Sequence, residues 1–298
     1  MGLANLLTTT IPAEPGPKPL DSELDLFGVT HPGKVRKENQ DHFLVSTVHQ
    51  QVVVHGTSLP DPDRLPLRGE RLGTLLMVAD GVGGGAGGAA SRLAVESITR
   101  YVSDTMRCFH TAGRSGDKEF LEALRGAALH AHDAVRAEAA TRPDIRSMAT
   151  TLTLAFAAWP FMYVTQVGDS RCYLFIDGVL RRVTRDQTLA QDLVDKGALP
   201  AEKAAASPFS SVLASSIGGK EATPEVKRVD LRRGCIVLLC SDGLTKHVEE
   251  PEIESQLRRI ESSETVARSL LDLALERGGS DNITVIVARG RVTDRPGR

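Results

Sequence analysis

The sequence predicts an α+β fold in which β-sheets and helices form separate layers. From Thr150 onward, three short runs rich in β-branched and aromatic residues follow one another at the close spacing of antiparallel hairpins: TLTLAFAAW, FMYVTQVGD and RCYLFIDG. The pair Asp177-Gly178, which ends the third run, is a typical hairpin turn. The predicted helices are grouped before and after these strands, whereas a parallel sheet would require strict alternation of strand and helix.

Each predicted element is defined by the periodicity of its apolar residues. The predicted strands are Leu24–Thr30, Asp41–Val54, Thr74–Ala79, the three runs above, VLRRVT, EVKRVDL, CIVLLCSD and Asn282–Ala288. The predicted helices are Ala89–Met106, Lys118–Ala140, Thr188–Gly197, Glu250–Ile260 and Glu264–Arg277. Helical spacing is clear in the first of them, where Leu93, Ile98 and Val102 recur among polar neighbours.

A single domain is predicted at residues 23–290, because neither an internal repeat nor an interior linker interrupts the pattern. A Pro-rich leader at residues 1–22 and a tail at residues 291–298 flank it and are expected to be flexible. Gly56–Arg71 is rich in Pro, Asp and Arg, which indicates an exposed excursion. Residues 198–219 are polar and rich in small side chains, and we expect them to form a mobile flap subdomain.

The composition argues against several classes of protein. The 298 residues include 36 basic and 38 acidic side chains, a net charge of −2, so no basic surface for nucleic acid or membrane is expected. No apolar run approaches the roughly 20 residues of a membrane span. The cysteines form no C-x-x-C pair, which indicates reduced thiols in a cytoplasmic protein; they are Cys108, Cys172, Cys235 and Cys240. We expect a monomer.

Six short motifs that carry aspartate are spread along the chain, each near a predicted strand end. They are Arg36 with Asn39-Gln40-Asp41, Asp80-Gly81, Gly168-Asp169-Ser170-Arg171, Arg185-Asp186, Ser241-Asp242-Gly243 and Ser280-Asp281-Asn282. Carboxylates so far apart in sequence meet only if the fold assembles them. Hard cations such as Mg²⁺ and Mn²⁺ take oxygen ligands of this kind, so the pattern predicts a metal-dependent hydrolase.

Two Asp-Gly pairs follow strongly apolar runs, in LLMVADG and IVLLCSDG. An isolated Asp-Gly after a strand is usually a turn. A central strand that ends on a carboxylate is costly, however, unless the charge is paired or binds a metal ion. Asp281-Asn282 has the same relation to the start of NITVIVA, which strengthens the metal interpretation for all three aspartates.

The glycine-rich stretch after Asp80 allows another interpretation. Gly83, Gly85 and Gly88 fit the dinucleotide-binding pattern G-x-G-x-x-G, and Asp104 lies at about the expected distance. No strand follows the helix, however, and Asp80 would place negative charge beside a pyrophosphate. A Walker loop is excluded because no Lys-Ser/Thr follows the glycines. In either case the glycines allow the backbone to approach another group closely.

Seven segments of the chain resemble the bacterial type 2C, metal-dependent serine/threonine protein phosphatases. They are VRKENQDHF, VADGVGGGAGGAAS, MATTLTLAF, VGDSRCYLF, VTRDQTLAQDL, SDGL and GGSDNITVIVAR, which occur in the family's order and span about Phe27–Ala288. The resemblance implies a four-layer α-β-β-α sandwich, with two central antiparallel sheets flanked by helix pairs.

The resemblance also implies a site with two Mn²⁺ or Mg²⁺ ions per chain. Asp80 is expected to bridge them, with Asp41 and the Gly81 carbonyl on one ion and Asp242 and Asp281 on the other. A hydroxide held between the ions would hydrolyse phosphoserine or phosphothreonine in proteins, without a covalent intermediate. Arg36 matches the family's phosphate-binding arginine, whose planar fork suits phosphate. The expected substrates are proteins phosphorylated by a serine/threonine kinase.

The chain departs from the family pattern at several positions, each of which has a chemical consequence. Gln40 replaces a common Glu, and Val82 stands where animal members have a His proposed as general acid. Histidines that could replace it by type alone are His31, His42 and His247. In the flap, Ser211 and Ser215-Ser216 stand where Asn and Thr-Arg are common.

Lys246 is the largest departure, because the family usually has an Asp there that helps Asp169 to hold a third ion. We therefore expect two well-occupied ions, with Asp169 either paired to Lys246 or hydrogen-bonded locally. The alternative is that Lys246 extends into solvent and Asp169 still holds a third ion through waters.

A second function is also compatible with the fold, namely a non-catalytic regulatory or binding protein. The presence of Arg36, Asp41, Asp80, Asp242 and Asp281 together argues against it, because a binding protein has no use for all five.

Overall fold

The computed structural model describes residues 14–51, 68–105, 117–141 and 148–292. The strands are β1 Leu24–His31, β2 His42–Gln51, β3 Arg68–Ala79, β4 Gly81–Val82, β5 Ala149–Thr150, β6 Leu152–Ala158, β7 Phe161–Val167, β8 Arg171–Ile176, β9 Val179–Arg182, β10 Glu225–Asp230, β11 Ile236–Cys240 and β12 Ile283–Gly290. The α-helices are α1 Gly87–Asp104, α2 Asp117–Ala140, α3 Leu189–Asp195, α4 Asp242–Thr245, α5 Glu250–Arg258 and α6 Ser263–Glu276.

Ten of these strands form two antiparallel sheets. Sheet I has the order β1-β12-β11-β8-β9, and sheet II has the order β10-β7-β6-β3-β2. In sheet I, β1 and β12 pair along their whole length, from Leu24 opposite Gly290 to His31 opposite Ile283. In sheet II, the interior strand β3 lies between β2 and β6. The short strands β4 and β5 pair separately, beside Asp80.

The molecule has three hydrophobic layers, which correspond to the three interfaces of a four-layer sandwich. Helices α1 and α2 pack on sheet II around Ile98 and Phe156. Leu239 lies in the layer between the sheets. Helices α5 and α6 pack on sheet I around Leu270 and Val285. Burial of each such side chain stabilises the fold by about 1.5–3 kcal/mol. The predicted α+β fold, with two antiparallel sheets between helix layers, is confirmed.

Local sequence signals explain why several elements begin and end where they do. The Ser262 hydroxyl accepts the Thr265 N–H and so caps the N-terminus of α6. The turn between β8 and β9 has positive φ at Asp177 (53°) and Gly178 (77°), as a type I′ hairpin requires. The hairpin predicted from Asp177-Gly178 is therefore present, with Ile176 opposite Val179.

Other boundaries differ from the sequence predictions by a few residues. β3 begins at Arg68 and not at Thr74, so the end of the predicted excursion Gly56–Arg71 belongs to a strand; residues 52–67 lie outside the described residues. In the leader, Trp159 Nε1 donates to the Gly16 carbonyl, and Arg71 donates to the Pro19 carbonyl. Residues 1–13, residues 293–298 and Cys108 also lie outside the described part. Within the described ranges, no helix is long and apolar enough to cross a membrane.

Candidate metal centre

The two sheets bring their motif-bearing ends to one edge of the sandwich. Asp41 precedes β2, Asp80 follows β3, Asp242 follows β11 and Asp281 lies two residues before β12. Asp169 lies in the turn between β7 and β8. An open cavity of about 540 Å³ lies at this edge, lined among others by Arg36, Asp80, Gly81, Asp169, Asp242, Lys246 and Asp281. A smaller cavity of about 70 Å³ lies at the opposite edge, and no carboxylate lines it.

Asp41 is buried beneath the cavity, with only 3% of its surface exposed. Its Oδ2 accepts hydrogen bonds from Ser241 Oγ and Thr284 Oγ1, both at 2.7 Å. Its Oδ1 has no hydrogen-bond partner among the described residues. Burial raises the pKa of Asp41 to about 6, although the two hydroxyl donors oppose this shift. Among the described residues, no lysine or arginine pairs with this carboxylate.

Asp80 is held rigidly by the backbone around it. Its N–H donates to Thr151 Oγ1 at 3.0 Å, and its carbonyl accepts from the Thr151 N–H at 2.9 Å and Thr150 Oγ1 at 2.8 Å. Burial raises the pKa of the Asp80 carboxyl well above its ordinary value, and the charges of Asp41 and Asp242 add to this effect. Neighbouring carboxylates thus repel one another unless positive charge enters the site.

The backbone approaches itself closely beside Asp80. The Gly81 N–H donates to the Gln40 carbonyl at 3.2 Å. A Cβ at Gly81 would lie 2.4 Å from the carbonyl carbon and oxygen of Gly87, so only glycine fits. The close approach expected from the glycine-rich stretch is therefore present, between the end of β3 and the start of α1.

Lys246 and Arg36 form ion pairs with the aspartates at the mouth of the site. Lys246 Nζ lies 2.6 Å from Asp242 Oδ2 and 2.8 Å from Asp281 Oδ2. Arg36 grips Asp281 with two parallel hydrogen bonds, Nε to Oδ1 at 2.7 Å and Nη2 to Oδ2 at 2.9 Å. Burial opposes ionisation of Asp281, but the hydrogen bonds from Arg36 and Lys246 outweigh it and lower its pKa. Burial likewise opposes the charge on Lys246, whereas Asp242 and Asp281 raise its pKa.

Lys246 does not pair with Asp169, one of the two arrangements expected from the sequence. Among the described residues no ion pair joins Lys246 to Asp169, because the lysine follows Asp242 by one helical turn and faces the same side of α4. The alternative, in which Lys246 extends into solvent, is not observed either, because its ammonium pairs with Asp242 and Asp281. Burial raises the pKa of Asp169 to about 8, with Asp242 and Asp186 adding to the shift and Lys246 opposing it.

The donor set fits hard divalent ions. Two buried carboxylate oxygens, Asp41 Oδ1 and Asp242 Oδ1, have no partner among the described residues, and buried charge of this kind calls for a metal ion or an ion pair. All the acidic ligand candidates are oxygen donors, as Mg²⁺ and Mn²⁺ prefer. In the described part of the chain, no three His, Cys, Asp or Glu side chains already surround one point as ligands. Backbone carbonyls and waters would have to complete each coordination shell.

The histidines considered as general acids have other contacts. His31 Nδ1 accepts the Gly33 N–H, His42 Nδ1 bonds to Ser91 Oγ, and His247 Nε2 bonds to Ser280 Oγ. None of the three is among the residues that line the cavity, whereas Val82 is. The flap contributes Ser211 and Leu213 to the cavity wall.

The positioning roles of several residues were missed by the sequence analysis. Ser241 and Thr284 orient Asp41, and Thr151 holds the backbone of Asp80. Asn282 ties the strand start to the loop after β1: it accepts the Gln40 N–H and donates to the carbonyl of Glu38. A usable signal existed for Ser241, Asn282 and Thr284, since each lies in or beside an aspartate motif next to an apolar strand.

Comparison with known proteins supports the resemblance seen in the sequence. Residues 55–276 match the family model described as protein phosphatase 2C. The chain is 37% identical over 215 residues to the serine/threonine protein phosphatase PstP of Mycobacterium tuberculosis, covering 72% of this chain but 40% of that protein. It is 30% identical over 269 residues to the serine/threonine phosphatase Stp of Listeria monocytogenes, covering 89% of this chain and 96% of the relative.

Solved structures show the same architecture. A crystal structure of M. tuberculosis PstP superposes with a TM-score of 0.71 at 31% identity, covering 90% of this chain and 99% of that one. A structure of the PstP catalytic domain in complex with two manganese ions superposes with a TM-score of 0.69 at 30% identity, with the same coverage.

Proposed function

Because this chain belongs to the protein phosphatase 2C family, we propose that it hydrolyses phosphoserine and phosphothreonine in proteins with the help of two divalent ions. The chain spans 40% of the length of the PstP relative, so the activity of the whole relative is carried over only as part of this proposal. The proposed substrates are proteins phosphorylated by a serine/threonine kinase.

One observation supports the proposal most strongly: four aspartates line one cavity and a fifth, Asp41, is buried beneath it, and two of their oxygens have no partner among the described residues. In the proposed site, Asp41, Asp80 and the Gly81 carbonyl would hold one ion, and Asp80, Asp242 and Asp281 the other. Such ions, when bound, lower the pKa of a water nucleophile and neutralise negative charge on the phosphate. The structure of PstP with two manganese ions supports this stoichiometry.

The protein itself supplies the means to bind and orient the phosphate. More than half of the Arg36 side chain is exposed at the cavity mouth, where its planar fork can grip phosphate oxygens. Its present partner Asp281 also keeps the guanidinium pointed into the cavity. Cys172, Cys235 and Cys240 are buried away from this cavity, so none of them is placed to form a covalent phosphoenzyme.

The proposal is tested by hydrolysis of a phosphothreonine peptide and of p-nitrophenyl phosphate by the metal-stripped protein. We expect activity only after addition of Mn²⁺ or Mg²⁺, and its loss in excess EDTA, because ions held by carboxylates and waters exchange with a chelator. Full activity in EDTA, with metal analysis showing that the ions are gone, would contradict the two-ion proposal. Metal binding without hydrolysis would instead favour the regulatory alternative.

A further inference from the structure

The ammonium group of Lys246 lies between two carboxylates that the proposed function assigns to an ion. It is 2.6 Å from Asp242 and 2.8 Å from Asp281, and both contacts have ion-pair geometry. Asp281 also receives the fork of Arg36. The positive charge at this point of the cavity therefore comes from the chain itself.

The helix geometry holds Lys246 in this position. Asp242 is the first residue of α4, and Lys246 follows that short helix, with its N–H donating to the Asp242 carbonyl at 2.8 Å. Residues four positions apart lie on the same helix face, so the lysine reaches the carboxylate without rearrangement of the backbone. Its side chain is only 37% exposed, which places the ammonium at the cavity wall rather than in bulk solvent.

A lysine ammonium can neutralise these carboxylates, but it cannot act as a Lewis acid as a metal ion does. It has three donors and no acceptor, and it does not coordinate a water as a Lewis acid. An ammonium and a divalent ion cannot share the same carboxylate oxygens without strong repulsion. One must leave when the other binds.

Building on the proposed function, we propose that Lys246 is a tethered cation that competes with the second divalent ion for Asp242 and Asp281. The ion held by Asp41, Asp80 and the Gly81 carbonyl binds first, since within the described ranges no lysine or arginine acts on Asp41. The second ion binds only when Lys246 moves aside. Occupancy of the second position, and so the metal concentration at which the enzyme works, is set by this residue.

The size of the effect follows from the competition. If the Lys246 contact is closed nine times in ten, the apparent dissociation constant of the second ion rises about tenfold over its intrinsic value. If positive charge in the cavity only repelled the second ion at a distance, the loss of affinity would be smaller, and other lysines of the cavity would cause it too. Lys37 lines the same cavity and makes no ion pair with Asp242 or Asp281, which makes it the matched control.

The test is calorimetric titration of the metal-stripped full chain with Mn²⁺, which requires no catalytic turnover. We expect the wild type to bind two ions with dissociation constants that differ about tenfold or more. Lys246→Met keeps the length of the side chain, removes its charge and adds only a soft thioether that hard ions avoid. It should tighten the second step about tenfold, whereas Lys246→Arg should keep that step weak and Lys37→Met should leave both steps within about twofold.

Thermal melting of the same variants supplies a second measurement. Without metal, Lys246→Met should melt below the wild type, because its carboxylates lose a counter-charge. With saturating Mn²⁺ it should regain the difference, since the ion replaces the ammonium. If Lys246 only stabilised the fold, Lys246→Met would lower the melting temperature by the same amount with and without Mn²⁺.

Three results would overturn the competition, and a fourth separates it from the proposed function. The first is an unchanged second step in Lys246→Met that melts cooperatively. The second is an equal gain in affinity from Lys37→Met. If neither the wild type nor the variants bind Mn²⁺, the proposed function fails, and the competition fails with it. Two-step binding without phosphatase activity would leave the competition standing and reject the enzymatic proposal alone.

Discussion

At the scale of single residues, the charge of Asp80 is strongly disfavoured by its surroundings at the cavity edge. Burial and four neighbouring aspartates disfavour its charge. A protein tolerates such a group when a bound cation restores the balance, and perturbed carboxylates of this kind are concentrated at functional sites. Because Asp80 lies at the end of an interior strand of sheet II, it cannot move away from its neighbours.

Substitution of Asp80 should therefore affect catalysis far more than stability. Asp80→Asn keeps the shape but removes a charge that the proposed ions need, so we expect kcat to fall about 10³-fold. Arg36→Ala should lower kcat/KM by about 10-fold to 100-fold through weaker phosphate binding, because the charge-assisted hydrogen bonds from the guanidinium are lost. Steady-state kinetics at saturating Mn²⁺ separate the two effects.

Arg232→Ala is the control for these variants, since Arg232 lines the small cavity at the opposite edge and pairs with Asp177. It should behave like the wild type. Near-normal turnover by Asp80→Asn would contradict the bridging role assigned to that carboxylate.

Much of the candidate site could be predicted at this scale, and the structure brings the predicted residues together. Asp41, Asp80, Asp242 and Asp281 stand at one edge because each flanks a strand, which a sequence can indicate. The partners of Lys246 could not be predicted, since they depend on the direction of one side chain on a short helix. The hydroxyl contacts of Asp41 depend on pairing between distant strands and were missed for the same reason.

At the scale of elements, the turn from β3 into α1 depends on one glycine. Gly81 touches the backbone of Gly87, whereas a Cβ at Gly85 would meet no atom within 4 Å. Gly81→Ala should therefore lower the free energy of unfolding by about 3 kcal/mol, because backbone atoms on both sides must shift.

Gly85→Ala is the matched variant from the same glycine-rich stretch and should change stability by less than about 1 kcal/mol. Chemical denaturation of the two proteins measures the difference. Equal stabilities would show that the turn relaxes easily, and that the close approach does not define the position of Asp80.

The boundaries of helices and strands could be predicted from the sequence where a turn or a helix cap marks them. The hairpin at Asp177-Gly178 and the helix capped by Ser262 are examples, because turn and cap chemistry act within four residues. The start of β3 was placed six residues too late: Arg68 is paired with Gln51, a contact that the chain's polar local sequence does not reveal.

At the scale of the whole molecule, Cys172, Cys235 and Cys240 are buried in or beside sheet I, so their reactivity reports on its packing. Burial raises the pKa of the Cys240 thiol to about 12 and raises that of Cys172 as well. Thiolates are the reactive form, so alkylation of Cys172, Cys235 and Cys240 at pH 8 should proceed only through unfolding.

Peptide mapping after iodoacetamide treatment tests this expectation. The three cysteines should remain unmodified in the native protein and react fully in guanidinium chloride. Rapid modification of Cys172 or Cys240 under native conditions would show that the centre of sheet I opens locally rather than with the whole domain.

The fold class could be predicted from sequence, but the order of the strands could not. Period-two runs and a hairpin signal indicate antiparallel sheets. Nothing local indicates that β1 lies beside β12, because the partners are separated by almost the entire domain. The four-layer arrangement came from the family resemblance and not from periodicity.

That pairing of β1 with β12 has a consequence for biosynthesis. A ribosome delivers Arg36, Asp41 and Asp80 before Asp281 and β12, which come last in this domain, and β1 has no neighbour in sheet I until β12 has been made. A nascent chain therefore carries half of a charged cavity and no competent centre. The proposed metal centre is therefore complete only once the domain has been synthesised through β12.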